Sequence, residues 1–494
     1  MVFPASEEFK DIVEGRKDGV KYDRATVYRE IAGDTFTPIA LLRNFSNEKY
    51  VFLLESANVD KTFSRYSFFG KNPKRTILFK KGTVTEVKGG KKTEFMMNPM
   101  DYLGQEFFKH KGYNDGRFGD FSGGFVGFFG YEAANYMGNL RERLKEPEEE
   151  NLIGFFEVDE FYAFDNRMGR IYAACSVNVK GNPEDAYRKA VKRTEKMAGE
   201  LHDLNFDSHD SDMADPVREF EKEEYMEIVD KLKGEITDGE AIQIVFSNKF
   251  EINAKVNPVS FYRTLRNVNP SPYMFYLKFG KDVLCGSSPE IHLKVVNRKA
   301  ILKPIAGTYP IGEDVEATKK KLLEDPKEIA EHLMLLDLAR NDLYAGCDPE
   351  TVKVEESFIS EVYSHVVHIV SSVSGTLRKD CTPLSAFMKT FPAGTVSGAP
   401  KVRAMELINQ YETAPRGFYA GCVGYFGYSG NLDTCITIRS ALVKPDKMIL
   451  RAGAGIVYDS VPEKEYDEVH NKLNALFAAC GRLKNLEGRN VFAG

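Results

Sequence analysis

Tryptophan is missing from all 494 residues, although phenylalanine (35) and tyrosine (24) are plentiful. Any aromatic core is therefore built without indole. Cysteine is sparse: Cys175, Cys285, Cys347, Cys381, Cys422, Cys435 and Cys480 are odd in number, scattered and free of any C-x-x-C pair. That pattern argues against a disulfide framework or a zinc site and for a reducing cytoplasm. No apolar stretch reaches the roughly 18 residues of a membrane span. The opening MVFPASEEFKDIVEG turns acidic at once and offers no signal-peptide core. Basic charge is not in excess, with 67 Lys and Arg against 73 Asp and Glu, a net charge of −6 and a pI near 5.9. Broad contact with nucleic acid or anionic lipid is thereby disfavoured, while a locally basic pocket for a small anion stays open.

What is present is ordinary for a globular protein, 43% hydrophobic and 28% charged. The length predicts two domains or one elaborate one. Up to about residue 200 the chain reads as short strands and turns, among them VFLLES (51–56) and the glycine- and phenylalanine-rich FSGGFVGFFGYE (121–132), then a helix at about 184–204. In the second of these strands glycines allow close packing and aromatics fill the layer. The acidic LNFDSHDSDMADP (204–216), closed by proline, is the best linker. Beyond it come a helix, EEYMEIVDKLKGEI, and a β-branched strand, AIQIVFSNKFEI. Strands and helices then mix without regular β-α-β alternation, which predicts an α/β protein of the layered α+β kind.

Two segments carry paired carboxylates. In LLEDPKEIAEHLMLLDLARNDL (322–343), Asp325, Pro326 and Glu328 form a helix start with N-cap, first-turn proline and capping-box acid. Glu328 and Glu331 share one face, and Ile329, Leu333, Leu336 and Ala339 form the apolar one. In DSVPEKEYDEVHNKLNALFAACG (459–481), Ser460 and Glu463 suit a capping box and Gly481 the C-terminal stop. Glu465 and Glu468 again share a face, with Lys472 one turn beyond. Either pair alone reads as a solvated helix face. If the faces met, four carboxylates would require a hard cation between them, and Mg²⁺ suits such a site. LRAGAGIVYDS (450–460) sets Gly453, Ala454 and Gly455 at a strand end, where bare backbone N–H groups can approach a carboxylate. CITIRSAL (435–442) alternates as a strand, and its Arg439 can hold a second carboxylate bidentately.

PIAGT, AEHLMLLDLARNDL, FPAGTVSGAPKVRAMELI (391–408), GCVGYFGYSGNLDTCITIRSAL (421–442) and AGAGIVYDSVPEKEYDE (452–468) together resemble the chorismate-utilising enzymes over roughly residues 220 to 480. VFLLESANVDKTFSRYSFFG (51–70) is similar to the N-terminal part of their anthranilate-forming large components. The resemblance implies two interleaved subdomains that form a β-sandwich flanked by helices, with chorismate and Mg²⁺ in a cleft. It divides the chain into an N-terminal region, 1–210, contributing a tryptophan pocket, and a catalytic region, 217–485.

Carried over by motif, Glu331 and Glu468 would bind Mg²⁺, with Glu328 and Glu465 close by through water. Gly307, Thr308, Tyr419, Arg439, Gly453, Ala454, Gly455 and Lys472 would hold chorismate. Glu290, in GSSPEIHL, would protonate the departing C4 hydroxyl, and His368, in SHVVHIV, would assist loss of pyruvate. Two positions select the branch. Relatives forming aminodeoxychorismate carry a nucleophilic lysine where this chain has Ala306, and isochorismate-forming relatives resemble a lysine where it has Gln243. Neither residue can do that work, so ammonia would attack directly. Ser56, Pro272, Tyr273 and Met274, with Arg65 as a looser match, resemble a feedback pocket for tryptophan. A chain without tryptophan would spare its own synthesis when tryptophan is scarce. No glutaminase segment is visible, so ammonia would come from a glutamine amidotransferase subunit in a hetero-oligomer, a heterotetramer by family analogy.

Overall fold

The computed structural model describes residues 2–32, 36–56, 65–138, 140–202, 212–310, 314–362 and 366–486. Among them, 13 strands form one sheet and 12 another. In the first, strands from the N-terminal part, ending with Tyr66–Lys71 and Tyr50–Glu55, run directly into Tyr273–Phe279, Asp282–Ser288, Ser440–Val443, Lys447–Ile456 and Gln243–Lys255. In the second, Ile305–Pro310, Val366–Thr376, Lys299–Leu302, Ile291–Val296, Leu432–Ile436 and Cys422–Gly427 continue into Gly124–Phe129 and Ile153–Val158. Both seams are antiparallel. Residues from before and after position 210 thus share both sheets. Of the expected linker, 204–211 lies outside the described residues, while its end belongs to strand Asp212–Arg218, paired with Gln243–Lys255.

One core joins the facing sides of the two sheets: Phe52, Phe68, Phe161 and Phe275 come from one, Phe125, Phe155, Leu293 and Val423 from the other. Phenylalanine does the work indole would do. Phe156 and Phe279 stack at 4.1 Å, and Phe107 stacks on Phe426 at 4.6 Å. Each ring so buried stabilises by roughly 1.5–3 kcal/mol. A second core lies where helices Lys222–Thr237, Pro258–Val268 and Pro462–Leu486 cover the first sheet, through Val229, Leu265, Val469 and Leu473.

The glycine-rich stretch behaves as its composition predicts. Gly127 lies opposite Gly424 in the ladder between Gly124–Phe129 and Cys422–Gly427. A Cβ on Gly127 would sit 1.9 Å from the Gly154 carbonyl oxygen, and one on Gly424 2.0 Å from that of Asp433. The strand neighbours approach so closely that only glycine fits.

Several sequence expectations are corrected here. CITIRSAL is two strands: Leu432–Ile436 belongs to one sheet and Ser440–Val443 to the other, and the chain crosses between them at 437–439. Gly481 does not stop its helix, which runs on to Leu486 because its apolar face continues along the sheet to Leu476, Ala479 and Cys480. Ser460 closes the preceding turn by accepting the Val457 N–H at 3.0 Å, and the helix begins at Pro462. Asp325 caps its helix as expected, accepting from the N–H groups of Lys327 and Glu328. Glu328 does not complete the box, since the Asp325 N–H donates to the Leu322 carbonyl. Leu333 is 49% exposed, and the buried face is instead His332, Leu335, Leu336, Ala339 and Leu343.

Replacing Gly127 with alanine should lower the free energy of unfolding by about 1–3 kcal/mol, the usual cost of overpacking. A urea midpoint equal to that of the unsubstituted chain would show that the two strands can part at no cost.

Candidate active site

The two carboxylate helices, Pro326–Tyr344 and Pro462–Leu486, bring carboxylates of their N-terminal turns within electrostatic reach of one another. Burial raises the Glu331 carboxyl above its ordinary value, and Glu468 on the other helix raises it further. Glu328 is raised by burial and then by Glu331, with Glu468 also contributing. Glu465 is raised by burial, against the Ser460 hydroxyl, and feels Glu468 as well. Burial would also raise Glu468, but Lys472, bonded to it at 2.6 Å, outweighs burial together with Lys327 and Arg439 and leaves it low. Four mutually repelling carboxylates with Lys472 and Lys327 against them fit a hard divalent cation. Among the described residues no three His, Cys, Asp or Glu side chains form a closed cage.

Across from these helices runs strand Lys447–Ile456. The glycine segment lies near its end, as expected: Gly453, Ala454 and Gly455 pair with Ser247, Phe246 and Val245 just before the strand ends at Ile456. On the opposite edge, the ladder to Ser440–Val443 ends at Leu450. The strand therefore extends past its neighbour, and the glycines offer bare backbone there. Space above them is tight. A Cβ on Gly453 would lie 2.8 Å from the Phe246 carbonyl oxygen and 3.0 Å from the Tyr419 hydroxyl, and one on Gly455 would lie 2.6 Å from the Gln243 amide nitrogen. Lys472 Nζ donates to the Gly453 carbonyl at 2.8 Å, and the buried Gln243 amide faces Glu331.

Arg439 sits at the crossing between the sheets with φ +52°. Ala420, next to Tyr419, also has a positive φ, +60°. Such backbone in residues with a Cβ costs of order 1–3 kcal/mol and persists when its surroundings impose it. Here the two segments hold each other: Ala420 N–H donates to Thr437 O at 3.0 Å, and Thr437 N–H to Gly421 O at 2.9 Å. Burial lowers the Arg439 pKa against the pull of Tyr419, Glu290 and Glu468, which surround the guanidinium.

Glu290 follows strand Asp282–Ser288 and is buried. Burial pushes its carboxyl up to about 7, against the Thr395 hydroxyl, Arg439, Lys472 and the Ile305 N–H. His368 lies in strand Val366–Thr376, opposite Thr308 on one side and Glu361 on the other. The backbone of Ala306, Gly307 and Thr308 belongs to strand Ile305–Pro310, but their side chains lie outside the described residues. Tyr309 ties that strand to the first carboxylate helix by donating to Asp325 at 2.6 Å. Glu290, Arg439, Tyr419, Lys472, Gln243 and both carboxylate pairs thus converge on one cleft.

The sequence reading gave no role to Thr395, a buried hydroxyl that faces Glu290. Its signal was present as one of two hydroxyls, with Ser397, in a run of small residues, FPAGTVSGAP. Nor did it single out Arg416, whose fully buried guanidinium binds Glu412, the Val396 carbonyl at 2.7 Å and the Val245 carbonyl at 2.6 Å.

The residues expected for a feedback pocket lie apart from this cleft. Met274 pairs with Glu55, the neighbour of Ser56, and the Ser56 hydroxyl is buried without a partner. Tyr273 donates to Asp433 at 3.0 Å, Pro272 leads into a strand that is central to its sheet, and Arg65 pairs with Asp165 at 2.6 Å.

Residues 50–478 match the family model for chorismate binding enzymes. The chain belongs to that family. Among similar family members, the anthranilate synthase component 1 of Acetivibrio thermocellus is 40% identical over 97% of this chain and 98% of its own. That of Aquifex aeolicus is 38% identical over 94% and 96%. Among solved structures, anthranilate synthase component I from Streptococcus pneumoniae is 31% identical, with a TM-score of 0.73 over 91% of this chain and 99% of that one. The menaquinone-specific isochorismate synthase from Escherichia coli, 16% identical with a TM-score of 0.69 over 96% and 99%, shares the fold.

The protonated Glu290 carboxyl should titrate near pH 7 in an infrared difference spectrum, with its band absent from Glu290→Gln. In Arg439→Met, loss of a cation that favours the carboxylate should move the titration upward. A band already lost at pH 5 would contradict the burial described here.

Proposed function

We propose that the chain is the large component of an anthranilate synthase, which converts chorismate and ammonia to anthranilate, pyruvate and water. One observation carries the reading: a buried carboxyl poised near neutrality, Glu290, lies beside two cations, Arg439 and Lys472, in a cleft edged by two facing carboxylate pairs. Similarity of 35–40% over nearly the whole chain to proteins named for this activity supports it.

Chorismate carries two carboxylates. Arg439 and Lys472 neutralise them, and the bare edge at Gly453–Gly455 with Thr308 and the Tyr419 hydroxyl fixes their orientation. Glu331 and Glu468 would hold Mg²⁺, with Glu328 and Glu465 reaching it through water; the ion would supply charge neutralisation at the ring carboxylate. Glu290 gives its proton to the C4 oxygen, which leaves as water while ammonia forms the C2–N bond. His368 assists the elimination that releases pyruvate and makes the ring aromatic. Ala306 has no amine to attack the ring and Gln243 cannot act as the base that activates water, so ammonia is the nucleophile.

A glutamine amidotransferase partner would supply the ammonia; the designation component 1 of the relatives is in keeping with a partner component. Tryptophan acts as the inhibitor, held by Ser56, Pro272, Tyr273 and Met274. The unpartnered Ser56 hydroxyl is a ready acceptor or donor for it. Seven buried cysteines, none in a disulfide, are in keeping with a cytoplasmic enzyme.

Incubated with chorismate, Mg²⁺ and an ammonium salt at alkaline pH, the purified chain should form anthranilate, seen by its fluorescence, and tryptophan should suppress it. Aminodeoxychorismate as the end product, or no turnover with an active glutaminase partner added, would refute the assignment. Glu331→Gln should lose metal-dependent turnover by more than about 100-fold with an unchanged thermal melt, since a metal ligand should matter at least as much as the groups that orient one. Retained activity would remove Glu331 from the metal site.

A further inference from the structure

Next to Glu290 lies a second, small cavity of about 40 Å³, open to solvent at one end and lined by none of Arg439, Tyr419 and Lys472. Its polar lining is His292, Lys303, Asp342, Thr390 and Thr395, and Glu290 itself forms part of the wall. At roughly 10–15 Å³ for each water, it has room for about three.

The hydrogen bonding of His292 shows what the cavity requires. The Thr434 hydroxyl donates its one proton to the Leu293 carbonyl at 2.9 Å and accepts the Leu293 N–H at 3.3 Å. Towards His292 Nδ1, 3.2 Å away, it can therefore only accept. Nδ1 carries the ring proton, burial keeps the imidazole neutral, and Nε2 is left with a lone pair. That atom is buried and has no protein partner. The Thr395 hydroxyl is likewise buried and unpartnered. Farther along the wall, Asp342 accepts two bonds from Lys401 Nζ, at 2.8 and 2.9 Å, and the third Lys401 proton goes to the Thr390 carbonyl at 2.9 Å. Lys303 faces Glu361 at 3.6 Å. Two unsatisfied polar atoms, a buried carboxyl and a charged pair around a space of this size describe a water site.

We propose that this cavity is the return path for the proton Glu290 delivers: a short file of waters, anchored by Thr395 and His292 Nε2 and running past Asp342 to solvent, that restores the acid between turnovers. The inference rests on Glu290 being the acid. In each cycle the Glu290 O–H bond breaks as its proton goes to the departing C4 oxygen, which leaves as water. The resulting carboxylate takes a proton from the adjoining water, each water takes one from the next, and solvent supplies the last. Ammonia sheds one proton as the C2–N bond forms, so no net proton is consumed. His292 stays neutral throughout. It is a positioning residue, holding the file by accepting from it.

In a crystal structure of the full chain, ordered waters should link Glu290 to Asp342, one of them within hydrogen-bonding distance of His292 Nε2. A dry cavity would overturn the proposal. In ammonia-dependent turnover, His292→Phe keeps ring volume against Phe387 and Phe391 (centroids at 4.9 and 5.7 Å) but offers no acceptor. Its kcat should fall roughly tenfold, well short of the 10²–10⁴ lost with a general acid itself. KM for chorismate should stay unchanged, the solvent deuterium isotope effect should rise, and formic or acetic acid buffers should restore the rate in proportion to concentration. His292→Gln, which returns an oxygen near the Nε2 position, should recover most of the activity. Ala339→Leu, which fills the cavity, should behave as His292→Phe does. Wild-type kcat in both His292→Phe and Ala339→Leu, or a loss without isotope effect or buffer rescue, would refute the path. Glu290→Gln separates the two assignments: if it stays active the acid is wrong, and if it is inactive while His292→Phe is not, the return path alone fails.

Discussion

The cleft depends on a charge that water never reaches. The Arg416 guanidinium binds both oxygens of Glu412 at 2.7 and 2.9 Å and, by its remaining protons, the carbonyls of Val245 and Val396. Val245 pairs with Gly455, Val396 follows Thr395, and the Arg416 carbonyl accepts the Tyr419 N–H. One side chain thus fixes the glycine edge, the Thr395 turn and the Tyr419 loop relative to one another. The Arg416 N–H itself donates to Glu132, from the N-terminal part of the chain, at 2.7 Å. Removing one member of such a buried pair leaves the other charged and unsolvated, a loss of about 3–5 kcal/mol. Arg451 reinforces the arrangement, reaching Glu219, Ser247 and Glu412.

Around that anchor the site keeps its charges out of balance on purpose. Glu328, Glu331 and Glu465 are raised by burial and by other carboxylates, while Lys472 satisfies only Glu468 and the Gly453 carbonyl. Arg439 is desolvated and, among the described residues, is bonded to no carboxylate. Electrostatic strain of this kind is relieved by a divalent cation on one side and an anionic substrate on the other. The two ligands would therefore favour each other's binding, since each removes repulsion that the other would meet alone.

Much of this was legible in the residues. The two E-x-x-E pairs, the Asp325–Pro326 helix start and the glycine packing of FSGGFVGFFGYE follow local rules, and the structure obeys them. What was not legible depends on distant partners. CITIRSAL alternates like one strand, and only the second sheet reveals that the chain changes layers at Arg439. Leu333 reads as core by spacing, yet it is two residues from Glu331 and so about 200° around the helix. Turning Glu331 into the cleft turns Leu333 outward. Gly481 has helix-ending chemistry, but its cost of roughly 1 kcal/mol is less than continued packing against the sheet supplies. Thr395 and Arg416 became visible only once their buried surroundings were known.

The crossing at 437–439 also joins the cleft to the region proposed to hold tryptophan. Tyr273, beside Met274, holds Asp433 in strand Leu432–Ile436, which leads directly into the crossing. From the other side, the Ser287 N–H donates to the Arg439 carbonyl at 3.1 Å, and the Ser287 hydroxyl bonds Ser271, one residue before Pro272. A molecule seated against Ser56 and Met274 would thus press on both attachments of Arg439, the residue proposed to meet the substrate. Inhibition through this route needs only that the crossing have two positions, one with Arg439 directed at the carboxylate and one without. A left-handed arginine held by two neighbouring segments is the kind of strained element from which such pairs of states are made.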